Sequence, residues 1–329
     1  MESEVYRKIR ERTLERRSQN CLAYDHLDDI ASGVRQPTTA IPQGNLNYLS
    51  SHDKLIDYHH LFQKNMGTFY HHLSASIPLF VEEQCRIGVS LSKLAESLFT
   101  GEDEYFTFLE TGVGDGANGR TMAEFSNGLI RTLSTSNSIY NKENFHRLCN
   151  HDYSRFHHGC FADITPEYLT SQPNLAFFEQ GFNVIYENVT FPFYGTERED
   201  VIDYLARLLK KEGLMIFLEK LKHSDETEYR RREKIKDEKF KKQYFSQGDV
   251  IDKRLGMLTV LERGQVDFET LTSAIKKHFK YVYFIWNSTN FYEFVASNHE
   301  LTISKFLDLL PQAYLPSPFC TETTLPRKL

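Results

Sequence analysis

One stretch constrains this chain more than any other: YFTFLETGVGDGANGR, residues 105 to 120. A short, bulky apolar run ends in Glu110, and glycines follow at positions 112, 114 and 116. Such a run is how a strand buried on both faces reads. The segment after it, GANGRTMAEFSNG, has helical character. A glycine turn between strand and helix lets the backbone approach a ligand closely, and the helix N-terminus favours a polar or anionic group.

The rest of the chain repeats this unit. LIRTLS, HHGCFADI, FNVIYENV and LMIFLE read as further strands, separated by helical stretches such as NKENFHRLCNHDY. TPEYLTS predicts a short helix with Thr165 as N-cap and Pro166 in its first turn. Before LMIFLE, Thr196 and Glu199 suggest a capping box, Val201, Leu205, Leu208 and Leu209 an apolar face, Lys210 and Lys211 the C-terminal end, and Gly213 the stop. KYVYFIW and FYEFVAS read as a closing hairpin. The alternation predicts an α/β protein: a Rossmann-like sheet of seven strands, five parallel plus a terminal hairpin that puts an antiparallel strand at one edge, with helices on both faces. Residues 1–100 predict a mostly helical cap, irregular around SGVRQPTTAIPQGN and broken at Pro78, residues 101–298 the core, and 299–329 a helix and tail. Within the core, 222–263 is a helical insertion whose mixed charges read as a solvated face.

Bulk properties narrow the function. A formal charge of −6 and a pI near 6.1 give no general attraction for nucleic acid, which disfavours it as a partner. Five scattered cysteines fit a reducing compartment, and no stretch approaches the ~20 apolar residues that span a bilayer, so a soluble, cytoplasmic protein is expected. The pairs His59–His60, His71–His72 and His157–His158 do not make a metal site, because neighbours on a helix point about 100° apart. No metal is expected.

The glycine turn is more specific than its fold. Dinucleotide sites want G-x-G-x-x-G and an acid about 20 residues further on. Here the glycines run G-x-G-x-G, Ala117 follows, and the acid, Glu110, comes first. A carboxylate there suits a cationic amino-acid group better than a pyrophosphate. FLETGVGDG, with FNVIYENV and VIDYLARLLKKEGLMIFLE, resembles the class I S-adenosylmethionine-dependent methyltransferases over about residues 100–298. The resemblance implies S-adenosylmethionine as cofactor and S-adenosylhomocysteine as product. It implies that Glu110, Thr111, Gly112, Gly114 and Gly116 hold the methionine and ribose part, and that Glu187, Asn188 and Val189 lie beside the transferred methyl. Asp163, read as ending the third strand, and Ile164 after it would meet the adenine. The acid that usually grips the ribose is missing, and Ser134 is the nearest match.

Methyl transfer from a sulfonium has an excellent leaving group, so it needs alignment first and a general base only for some acceptors. Glu187, Tyr186 and Tyr194 are the candidate bases. The acidic chain, with a cap and an insertion placed to close over an acceptor, suggests a small-molecule substrate whose methylated atom is O, N or C. A homo-oligomer is left open. Two rivals remain: a catalytically silent, methyltransferase-like subunit that binds a partner, and an aminopropyltransferase of the spermidine synthase type, suggested by GDG at 114–116.

Overall fold

The computed structural model describes residues 4–19, 21–52, 54–99, 104–112 and 114–329. Among these, six helices precede the first strand: α1 (Glu4–Gln19), α2 (Cys21–Ser32), α3 (Leu46–Ser50), α4 (Leu55–Asn65), α5 (Thr68–Ser74) and α6 (Phe80–Leu98). Pro78 falls between α5 and α6, where its missing N–H ends the helical ladder.

The sheet is built from β1 (Phe106–Thr111), β2 (Ile130–Ser136), β3 (Ser154–His158), β4 (Phe182–Asn188), β5 (Leu209–Lys220), β6 (Tyr281–Ser288), β7 (Phe291–Ser297) and the two-residue β8 (Arg327–Lys328). Their order is β3-β2-β1-β4-β5-β7-β6-β8, with β1 to β5 parallel and β7 antiparallel to both neighbours. Every residue of β1 is buried, as a strand covered by helices on both faces requires. The connecting helices are α7 (Ala117–Phe125), α8 (Ile139–Leu148), α9 (Pro166–Ser171) and α10 (Arg198–Ala206). After β5 come α11 (Glu226–Lys239), α12 (Gln247–Lys253), a π-helical turn (Arg254–Leu258), α13 (Thr259–Gly264) and α14 (Phe268–His278); α15 (Glu300–Leu309) follows β7. Strand order reverses between β1 and β4, and in open α/β sheets the crevice outside the carboxyl ends at that point is where ligands bind.

Several expectations are corrected. Among the described residues the sheet has eight strands, not seven, and the antiparallel strand is internal. All seven residues of β7 are buried, so an interior slot, which pairs both backbone edges, suits it better than an edge. The helix before β5 ends at Ala206, and its N-cap is Glu197 without a side-chain cap, so Thr196 and Glu199 form no box. Lys210 to Gly213 belong to β5, where the register shifts, and Gly213 serves an irregular strand in place of a helix stop.

The third strand stops at His158, and Phe161–Asp163 is a 3₁₀ turn. The helix at 166–171 does form as expected, with Thr165 accepting from the Tyr168 N–H. The last correction is α11. Its charges are not all solvated: Tyr229, Arg232, Glu233, Lys236 and Asp237 are buried. Their spacing places them on one stripe, and mutual ion pairs let it be covered. Among the described residues no helix is long and apolar enough to cross a membrane.

Candidate active site

The site is assembled at the carboxyl ends of β1 and β4. Gly116, the N-cap of α7, has φ +76°, and a Cβ there would lie 2.9 Å from both Phe145 and the Ser134 hydroxyl. It is therefore glycine for conformation and for space. A Cβ on Gly114 would stand 2.6 Å from the ring of Tyr70, which α5 lays across the turn. Gly112 has nothing closer than 3.8 Å and leaves the backbone open. Asp115, the acid between the last two glycines, is buried and turned inward to Arg120 at 3.3 Å.

Glu110 is buried at the end of β1, and its Oε1 accepts three hydrogen bonds: from Tyr70 Oη at 2.5 Å, Asn118 Nδ2 at 2.9 Å and Asn188 Nδ2 at 3.1 Å. Burial pushes its carboxyl above the usual range, against these bonds, which favour the charged form. The amide oxygens of Asn118 and Asn188 are buried and take no hydrogen bond among the described residues. Glu110 and the two amides that bond to it thus gather where β1, α7 and β4 meet, and each amide keeps an unsatisfied carbonyl oxygen. Such a group of acceptors calls for a cationic donor.

Beside it lies a narrow cleft whose cavity measures about 70 Å³. Gly112, Gly114, Asn188 and Val189 form one end; Leu27, Ile30, Phe69, Leu73 and Ile77 from the cap and Met257, Leu258 and Leu261 from the insertion form the walls. Val189 sits at φ +54°, a left-handed conformation that a β-branched residue adopts only at a cost of about 1–3 kcal/mol. Strain of this kind gathers at ligand sites, and here it falls at the end of β4 on the cleft wall.

The structure brings together Glu110, Thr111, Gly112, Gly114, Gly116, Asn188 and Val189, packs Ser134 against the turn, and leaves Asp163, Ile164, Tyr186, Glu187 and Tyr194 outside the cleft. Ser134 pairs with Glu110 in register, and its Oγ is pressed against α7 between Gly116 and Gly119. The end of β2 is instead marked by Ser136, followed by Asn137 and Ser138; Ser136 Oγ takes the Asn141 amide at 3.1 Å. Asp163 caps its own turn through the Cys160 N–H and pairs with Arg10 at 3.1 Å, in a separate pocket with His157 and Tyr168 beyond the carboxyl end of β3. Ile164 is buried, with its carbonyl accepting from Tyr204 Oη at 2.7 Å.

None of the three candidate bases lines the cleft. Tyr186 donates to Glu293 at 2.8 Å and accepts from Gln84, inside the core. Glu187 points to the opposite face of β4, accepting the backbone N–H groups of Thr190 and Phe191 at 2.5 and 3.0 Å. Burial first, and the neighbouring Glu219 second, hold its carboxyl well above the usual range. The Tyr194 hydroxyl is buried beside Asn137, with Nδ2 at 3.4 Å, and burial raises it well above an ordinary phenol. Residues that the sequence alone did not single out for the site are Asn118 and three lysines, Lys236, Lys241 and Lys253. Asn118 had one signal, its place two residues after the last glycine of the turn.

No family model matches this chain, and no curated protein matches it. Solved structures that resemble it include the plantazolicin methyltransferase BpumL in complex with a monoazolic desmethylPZN analog and SAH, at 11% identity and a TM-score of 0.49, over 90% of this chain and 100% of that one. The mycolic acid cyclopropane synthase CmaA1, complexed with SAH and CTAB, is 14% identical with a TM-score of 0.40, over 82% of each chain. The cyclopropane synthase MmaA2 from Mycobacterium tuberculosis is 14% identical with a TM-score of 0.41, over 80% of this chain and 81% of that one. At such identities the site's own geometry has to carry any statement about chemistry.

Proposed function

We propose that this chain is an S-adenosylmethionine-dependent methyltransferase acting on a small molecule. The observation that carries it is the gathering of Glu110, Asn118 and Asn188 at the glycine turn, with both amide NH2 groups on the carboxylate and both amide oxygens unsatisfied among the described residues, next to a cleft with mostly apolar walls. These three residues suit the α-ammonium of the cofactor's amino-acid end. The glycine turn leaves room for a close backbone approach. Ser136, Asn137 and Ser138 are the polar residues at and just beyond the end of β2, where a ribose would lie, and they are uncharged.

When bound, S-adenosylmethionine supplies a methyl group on a positively charged sulfur. The chain's part is to exclude water and to hold the acceptor in line. The walls of the cleft, drawn from cap and insertion, serve both ends. Tyr186, Glu187 and Tyr194 stand outside it, so displacement by alignment is the chemistry these residues support. The inward turn of Asp115 to Arg120 counts against an aminopropyltransferase, whose polyamine needs acids facing the cleft.

Calorimetric titration with S-adenosylmethionine and S-adenosylhomocysteine tests the proposal. Micromolar binding of both is expected. Binding of neither would leave the silent-subunit reading, and a search for a partner protein would replace the search for an acceptor.

A further inference from the structure

Three lysines, Lys236, Lys241 and Lys253, line the cleft in its otherwise apolar surroundings. None is more than 6% exposed. Lys253 Nζ donates to His72 Nε2 at 2.7 Å and to Ser76 Oγ at 2.6 Å, and no carboxylate pairs with it among the described residues. Lys241 Nζ lies 3.0 Å from Asp237 Oδ1 but makes no well-aligned hydrogen bond. Lys236 is the best served, with both oxygens of Glu233 at 2.7 and 2.8 Å.

Among the described residues the local charge does not balance. Glu233 is shared by Lys220 and Lys236, and Asp237 by Lys241 and Arg254, so two carboxylates face five basic groups once Lys253 is included. Gathering buried ammonium groups this way is costly unless a counter-charge joins them. Burial already depresses them: Lys236 to about 8, Lys241 to about 7 with Lys236 adding repulsion, and Lys253 well below its ordinary value.

We propose that this end of the cleft is a subsite for an anionic group, a carboxylate or a phosphate, on an acceptor whose remaining body is apolar. Lys253 and Lys241 are its principal donors, and Ser76 sits beside them. The substrate class rests on the methyltransferase reading, because only that reading makes the cleft an acceptor site. The anion site itself stands on the lysines alone.

The test uses the full chain and four probes with the same number of carbons: octanoate, octyl phosphate, octanol and octylamine. Affinity for each is measured by calorimetry with and without S-adenosylhomocysteine, in wild type and in the Lys241→Met and Lys253→Met variants. At least one anionic probe is expected to bind about tenfold or more tightly than octanol, the worth of a charge-assisted hydrogen bond. Octylamine should bind most weakly. Octanoate alone identifies a carboxylate, octyl phosphate alone a phosphate, and either result supports the subsite. Each variant should lose the preference over octanol while keeping S-adenosylhomocysteine affinity within about twofold.

Equal binding of octanol and both anions, or a preference that survives both substitutions, overturns the inference. Cofactor binding without anion preference would sink this inference and spare the methyltransferase reading; the reverse pattern would do the opposite. Thermal unfolding guards against a folding defect. Removing a buried cation that lacks a carboxylate should leave the Lys253→Met midpoint unchanged or higher, and a lower midpoint marks Lys253 as a structural strut and counts against the subsite.

Discussion

Glu110→Gln separates charge from shape at the heart of the site. In the ligand-free chain the glutamate receives three donors on one oxygen, and glutamine keeps a carbonyl oxygen for them. The cost of the change should therefore appear when a cation binds. A hydrogen bond to a charged group contributes about 1.5–3 kcal/mol, which at about 1.4 kcal/mol per tenfold predicts a loss of about 10- to 150-fold in affinity for S-adenosylhomocysteine. 5′-Methylthioadenosine, which has no amino-acid part, should bind wild type and variant alike. Calorimetry with the two ligands reads the difference. Equal losses for both, or none for S-adenosylhomocysteine, would refute the assignment of Glu110 to the ammonium.

The same substitution carries a pH signature. Burial raises the carboxyl of Glu110 in the folded state, so the folded chain holds this proton more tightly than the unfolded chain. The stability it contributes is full below the ordinary carboxylate range and is lost as pH rises through the raised folded value. Glu110→Gln removes that loss. Urea unfolding of both proteins should show the variant gaining on wild type as pH rises across this window and levelling off above it.

Three further outcomes follow from the geometry. Gly116→Ala forces a Cβ into a left-handed position 2.9 Å from Phe145, and urea unfolding should show a loss of about 1–3 kcal/mol. Arg198 is bonded to both oxygens of the buried Glu219 at 2.8–3.0 Å, so Arg198→Ala should cost about 3–5 kcal/mol in the same assay by leaving that carboxylate uncompensated. Tyr186→Phe strips a hydroxyl from a buried network with Gln84 and Glu293 and should cost about 1–3 kcal/mol. Its affinity for S-adenosylhomocysteine should stay unchanged, and a large loss there would return Tyr186 to the site.

Some of this was legible in the chain before folding was considered. Strands covered on both faces have to be short apolar runs, so β1, β4 and the closing hairpin could be read directly, as could the turn at Gly116, where the left-handed backbone wants glycine. The position of Glu110 followed from that turn. The sense of the crevice followed from strand alternation.

Tertiary structure decided the rest, because it depends on which surfaces meet. Strand spacing alternates faces, so the neighbours Tyr186, Glu187 and Asn188 part company: Asn188 reaches the cleft, Glu187 faces the other side, and Tyr186 lies deeper in the core. The slot of β7 was set by backbone edges needing partners, which local patterning does not encode. Tyr70 reaches Glu110 across 40 positions of sequence. Lys236, Lys241 and Lys253 look like solvated charges along the chain, and only the tertiary packing of α11, α12 and the turn between them turns them inward, where burial changes what a lysine can do.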